Sequence, residues 1–169
     1  NTRKTVGVIT ANKRSFVLLI LLTVLTACSS SEKYEPEKLP TKVTFSLVSD
    51  EGTNPNIWGE ATPIELQVFE LEDDSMFMSA DYDQMKEDYE DTLRSNFVDN
   101  YDYVLTPGQF KFVDAFEIDE DTNYIGVMAH FSEPELSEWK KAVKVLKTGR
   151  EYHLLMYFKD YDVKLERVE

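Results

Sequence analysis

A period of two in hydrophobicity is the feature that most restricts how this chain folds. Beginning near Thr41, the side chains of Val43, Phe45 and Leu47 alternate with Thr44, Ser46 and Val48, the pattern of a half-buried strand. Ile64, Leu66 and Val68 repeat it against Glu65, Gln67 and Phe69. Tyr101, Tyr103 and Leu105 run into the turn signal Thr106-Pro107-Gly108-Gln109, and Phe110, Phe112 and Phe116 follow, which predicts a hairpin. Residues 124–131 (YIGVMAHF) and 152–158 (YHLLMYF) are nearly continuous apolar runs suited to central strands, and residues 162–168 add an edge strand. Many short strands separated by turn signals predict an all-β sandwich.

Two stretches carry helical spacing instead. In residues 81–93 (DYDQMKEDYEDTL), Tyr82, Met85, Tyr89 and Leu93 recur every three or four positions among charges, which predicts one inserted amphipathic helix. Asp81 with Gln84 three residues on forms an N-cap pair, and acids in the first turn suit the helix dipole. Its apolar stripe is read as cover for the core. Trp139, Ala142, Val143 and Leu146 suggest a second short helix ending before Gly149.

The apolar run at residues 16–25 (FVLLILLTVL) is too short to span a bilayer as a stable helix, and the polar stretch before it holds Arg3, Lys4, Lys13 and Arg14 with no acid. That is the layout of a secretory leader. Leu25-Thr26-Ala27-Cys28, followed by Ser29, Ser30 and Ser31, resembles the lipobox of bacterial lipoproteins. Small Thr26 and Ala27 would admit a peptidase to the backbone, and the Cys28 thiol would accept a diacylglyceryl group as a thioether. The resemblance implies N-acylation of the freed amine as well, and two or more chains anchor durably at about 0.8 kcal/mol per buried CH₂. Ser29 after the cysteine resembles outer-membrane sorting. The expected layout is a signal peptide over 1–27, a lipidated tether over 28–40 (SSSEKYEPEKLP after the cysteine, polar and twice interrupted by Pro), and a β-sandwich domain over 41–169. The chain begins at Asn1 rather than Met, so the start of the leader is left open.

Charge and cysteine content narrow the function classes. Formal net charge is −14, and because the leader contributes four positive charges the remainder carries −18. Nucleic-acid affinity comes mostly from Lys and Arg neutralising phosphates, so that class is set aside. Cys28 is the single cysteine, which leaves the domain no internal disulfide and no cysteine catalysis. Asp119, Asp121 and Asn123 sit at positions one, three and five of a would-be calcium loop, yet Tyr124 stands where Gly is needed and His130 where a bidentate Glu is needed. His130 and His153 lie within apolar strand runs with no second ligand at zinc spacing, and read as core or rim histidines. No G-x-S-x-G or phosphate-cradling loop is present, and no metal or cofactor beyond the lipid is expected. The chain reads as a non-enzyme.

One loop stands out. Residues 49–63 (SDEGTNPNIWGEATP) are dense in turn formers yet carry Ile57 and Trp58, two large apolar side chains. A Trp in such a loop either tucks back onto its own core or is offered to a partner.

Several of these features, in their order and spacing, resemble one family. They are the lipobox at Cys28, Asn54-Pro55-Asn56 leading to Pro63-Ile64, and Val68-Phe69-Glu70-Leu71. Phe77, Ala80-Asp81-Tyr82, Leu93, Thr106-Pro107-Gly108, Tyr124-Ile125-Gly126-Val127, Ala129 and Trp139 complete them. The resemblance is to the type VI secretion lipoprotein, the TssJ (VasD) family. It implies a transthyretin-like β-sandwich with an added helix, held by lipid at the periplasmic face of the outer membrane. It further implies an adaptor that binds the periplasmic C-terminal region of TssM, with TssL in the wider complex, through the loop between the first two strands. Here that loop supplies Asn54, Pro55, Asn56, Ile57, Trp58 and Gly59, with Ile57 and Trp58 as candidate anchors and Asn54 and Asn56 as polar rim. The alternative is a periplasm-facing lipoprotein whose sandwich binds a soluble peptide, sugar or cation.

Overall fold

The computed structural model describes residues 33–168. The alternating segments become eight strands: β1 (Lys42–Ser49), β2 (Ile64–Leu71), β3 (Phe97–Leu105), β4 (Phe110–Glu117), β5 (Tyr124–Ala129), β6 (Lys140–Lys144), β7 (Glu151–Lys159) and β8 (Asp162–Val168). They pair into two four-stranded sheets, ordered β4-β1-β7-β8 and β3-β2-β5-β6. Every neighbouring pair is antiparallel except β1 and β7, which run parallel at the centre of the first sheet. The all-β sandwich expected from the pattern is therefore the fold, with β5 and β7 as inner strands and β8 at an edge.

Alternation sets the core. Val43, Phe45 and Leu47 of β1 lie beside Leu154, Met156 and Phe158 of β7, and face Ile64, Leu66 and Val68 of β2 with Ile125 and Val127 of β5. All are buried, and burial of each such side chain contributes about 1.5–3 kcal/mol. A second apolar cluster lies on the outer face of the β2–β5 sheet, where Phe69, Leu71 and Met128 meet Phe77, Ala80, Met85 and Leu93.

That outer cover differs from the single helix expected over 81–93. Three short helices form it: α1 (Ser75–Ser79), α2 (Tyr82–Glu87) and α3 (Tyr89–Leu93). The Asp81–Gln84 capping box forms as the spacing predicted, with the Gln84 amide donating to Asp81 Oδ1 at 2.9 Å and the Asp81 amide to Gln84 Oε1 at 3.1 Å. The helix then breaks at Asp88, whose backbone is extended (φ −156°, ψ 91°) and whose carboxylate caps the Asp91 amide at 3.0 Å. Like charges four apart, Asp83 with Glu87 and Glu87 with Asp91, oppose one continuous helix, while Asp is favoured as a cap. Met85, Tyr82, Tyr89 and Leu93 still reach the cluster, so the stripe is core cover.

Three further expectations change. Residues 139–146 form no helix; Lys140–Lys144 is strand β6, with Val143 packed toward the central core and Ala142 toward the helices. Contacts on both faces of one strand imitate helical spacing. The Thr106–Gln109 turn exists, with the Gln109 amide donating to Thr106 O at 3.0 Å, but β3 and β4 belong to different sheets. It is a crossover between layers, not a hairpin. Finally, the segment expected to be tether through Pro40 is fastened to the domain from Pro36 onward, where a 3₁₀ turn (Pro36–Lys38) precedes a bridge between Pro40 and Thr148.

Candidate functional site

The loop between β1 and β2 is built in two storeys. Its base is pinned to the first sheet: Thr53, fully buried, donates its hydroxyl to Phe158 O at 2.7 Å, and the Asn54 amide donates to Asp160 O at 2.8 Å. Asn54 takes a left-handed conformation (φ 51°), which its short polar side chain tolerates better than most. Its Nδ2 donates to Pro63 O at 2.9 Å and its Oδ1 accepts the Ser132 amide at 2.7 Å, while Thr62 donates its hydroxyl to Asn54 O at 2.6 Å. Only 6% of Asn54 is exposed. The rim role expected for Asn54 is thus replaced by a brace under the loop.

The tip is a closed turn from Asn56 to Glu60. The Asn56 amide donates to Glu60 O at 2.8 Å and the Gly59 amide to Asn56 O at 2.9 Å. Asn56 Oδ1 accepts from the amides of Trp58 and Glu60 at 2.9 and 3.0 Å, so its side chain is spent folding the tip. Gly59 supplies the positive φ of 80° that the turn requires. Pro55 O, just below, receives hydroxyls from Tyr161 at 2.7 Å and Ser132 at 2.9 Å. On this frame Ile57 is 80% exposed and Trp58 77%. The two side chains are displayed to solvent by a loop whose hydrogen bonds are satisfied internally, which reduces the ordering cost of binding.

Ser132 brings a second loop to the same end, one with no counterpart among the sequence-based candidates. In Glu133-Pro134-Glu135-Leu136, Leu136 is 76% exposed and follows two acids. Its signal is the same as that of Trp58, a large apolar residue in a turn-rich stretch. Glu51, Glu60, Glu133, Glu135 and Asp160 are exposed in these two loops and the β7–β8 turn, so the exposed apolar side chains belong to acidic segments. The Gly52 amide, and then the Tyr157 hydroxyl at 2.7 Å, hold the Asp50 carboxyl below its usual range and keep it charged.

The remaining candidates have structural roles. The buried Glu70 carboxylate accepts from Tyr101 Oη at 2.7 Å, the Asp119 amide at 2.9 Å and Thr122 Oγ1 at 2.5 Å, and so ties down the acidic turn that resembled a calcium loop. Burial first, and the Glu70 carboxylate next, push the Tyr101 phenol above its ordinary range. His130 sits on the outer face of the second sheet between Tyr82 Oη at 3.2 Å and Gln67 Oε1 at 3.1 Å, and His153 lies 2.7 Å from Ser46 Oγ. Among the described residues no group of His, Cys, Asp and Glu has the geometry to hold a metal ion. Cys28 lies outside the described residues.

Comparison with known proteins places this geometry. Residues 41–167 match the family model described as type VI secretion lipoprotein, VasD, EvfM, TssJ. The fold is similar to the crystal structure of the type VI secretion lipoprotein TssJ1 from Pseudomonas aeruginosa, at a TM-score of 0.73 and 25% identity over 77% of this chain and 98% of that one. It is similar in fold to Serratia marcescens Lip, titled a membrane bound component of the type VI secretion system (TM-score 0.64, 22% identity, 78% and 98% covered). A chain in the structure titled T6SS protein TssM C-terminal domain, from EAEC, also shares the fold (TM-score 0.62, 20% identity, 75% and 98% covered). No curated protein sequence matches. A family model spanning the whole sandwich, on a chain whose two sheets follow the same architecture, is decisive: this chain belongs to the type VI secretion lipoprotein family.

Proposed function

We propose that this lipoprotein is an adaptor of the type VI secretion membrane complex. Lipid on Cys28 holds it at the periplasmic face of the outer membrane, and its β1–β2 loop binds the periplasmic C-terminal region of TssM, with TssL further along the same assembly. Residues 1–27 are removed as the signal peptide, and no catalytic step or cofactor beyond the covalent lipid is involved. Ile57 and Trp58 are the anchors, Gly59 and Asn56 shape the tip, and Pro55 and Asn54 hold it from below.

The observation that carries this reading is the display of Ile57 and Trp58 on an internally satisfied turn. An exposed Trp beside an aliphatic side chain, ringed by polar groups, is the composition of an interface hot spot. Leu136 offers a further exposed apolar side chain on the loop that Ser132 ties to this one, and the exposed acids of both loops fit a partner cleft rimmed by Lys and Arg. Replacing Ile57 and Trp58 together by Ala is expected to weaken TssM binding by at least about 30-fold, the effect of losing about 2 kcal/mol at a hot spot. Circular dichroism and the melting temperature should stay unchanged, because neither side chain contributes to the core. Binding of undiminished strength, measured by calorimetry or co-purification, rejects the loop as the contact.

A further inference from the structure

The segment between the anchor and the domain is shorter than the sequence suggests. Pro36–Lys38 forms a 3₁₀ turn, closed by the Lys38 amide on Glu35 O at 3.0 Å and the Leu39 amide on Pro36 O at 3.2 Å. The turn from Lys147 to Gly149 then clasps Leu39 to Thr41: the Thr41 amide donates to Lys147 O at 3.0 Å and the Gly149 amide to Leu39 O at 2.8 Å. Gly149 has a φ of 72°, and a Cβ there would lie 3.0 Å from Glu37 Cα and 3.1 Å from Glu37 O. Only glycine lets the 3₁₀ turn lie against it.

We propose that residues 36–40 are a collar that fastens the lipid leash to one end of the sandwich, so that the domain stands on the bilayer with the Trp58 loop facing away from it. The inference rests on Cys28 being the anchored residue. From Cys28 to Glu35 the chain reaches at most about 25 Å; were the leash free as far as Thr41, it would reach about 50 Å. A leash of the first length falls just short of the length of β1, so the far end of the sandwich meets the lipid only with the leash at full stretch, whereas the second lets the domain turn over freely. The collar meets β1 at Lys42 and the partner loop leaves β1 after Ser49, so the two lie at opposite ends of a strand about 26 Å long.

The collar end also carries Leu39 and Leu146, both exposed, beside Lys38 and Lys147, side chains suited to an interfacial layer. Glu37, Glu120 and Asp121 are exposed there too, so the short leash rather than charge attraction sets the orientation.

The test uses the chain from Cys28 onward, coupled through its single thiol to maleimide lipids in phosphatidylcholine vesicles that carry dansyl headgroups as energy acceptors. It is therefore independent of lipidation in the cell and of TssM. With Trp139→Phe, Trp58 is the sole donor; a second protein with Trp58→Phe, Trp139→Phe and Lys147→Trp reports from the collar end. Transfer should be severalfold higher from Lys147→Trp than from Trp58. Adding Gly149→Val, which expels the collar, or a short Gly-Ser insertion after Tyr34, which lengthens the leash without touching the fold, should raise transfer from Trp58 severalfold. Equal transfer from the two ends of the unmodified domain overturns the proposal, as does a Trp58 signal that responds to neither change.

Discussion

At the residue scale, the contrast between Asn54 and Trp58 shows what a side chain's neighbours decide. Both sit in one turn-rich loop, yet Asn54 is sealed in by Ser132, a residue 78 positions away, and Trp58 is open to solvent. Ile57 and Trp58 were legible because large apolar groups are out of place among turn formers; the bracing by Asn54 was not, since an asparagine looks the same buried or exposed until its partner is known. Asn54→Ala removes the acceptor of the Ser132 amide, the donor to Pro63 O and the residue type that tolerates φ 51°, and should cost about 2 kcal/mol of stability in urea titration. It should also weaken partner binding, by letting the tip move.

His130 gives a residue-scale prediction with a pH sign. Gln67 is oriented by donating its Nε2 to Asp102 at 3.0 Å, so its Oε1 receives a proton from His130 Nε2, and Nδ1 accepts from Tyr82. Burial, outweighing nearby Glu65, places the imidazole below its ordinary value of 6.5, so the folded state holds it neutral. Unfolded chains take up the proton first as pH falls. The stabilisation is complete above 6.5 and is lost as pH drops below it, and His130→Asn should flatten that acid slope while lowering stability at neutral pH. Urea midpoints recorded between pH 8 and about 5 will show whether the slopes differ.

At the scale of elements, type and order were readable where one face of a strand met the core. β1 and β2 form where the period of two predicted them, β5 and β7 where the apolar runs did, and β8 where an edge strand was expected. The failures have separate causes: β6 is short and its Val143 and Ala142 pack on opposite faces, which imitates helical spacing, and β3 and β4 look like a hairpin because a turn signal is local while sheet membership is not. The helix breaks where Asp88 turns extended and caps the next one, and the caps are testable. Asp81→Ala deletes the capping box of α2 and should cost about 1 kcal/mol by urea denaturation. A shift no larger than that of an exposed Asp in β4, such as Asp114→Ala, would show that the box contributes nothing.

For the whole molecule, anchor and domain are separable. A Cys28→Ala chain should melt at the same temperature as the lipidated protein yet leave the membrane fraction and take up no palmitate, as cell fractionation and radiolabelling will show. The fold itself is less divisible. β1, the first strand, lies between β4 and β7, and its parallel partner is the next to last. Truncation before Glu151 leaves β1 without that partner and should abolish cooperative unfolding, which near-ultraviolet dichroism will detect. Contacts that join the two ends of a chain form slowly, since the loop between them must close first. For a chain that emerges amino end first from a narrow export channel, the β4-β1-β7-β8 sheet therefore stays open until the last strands have come through, and the sandwich cannot shut before then.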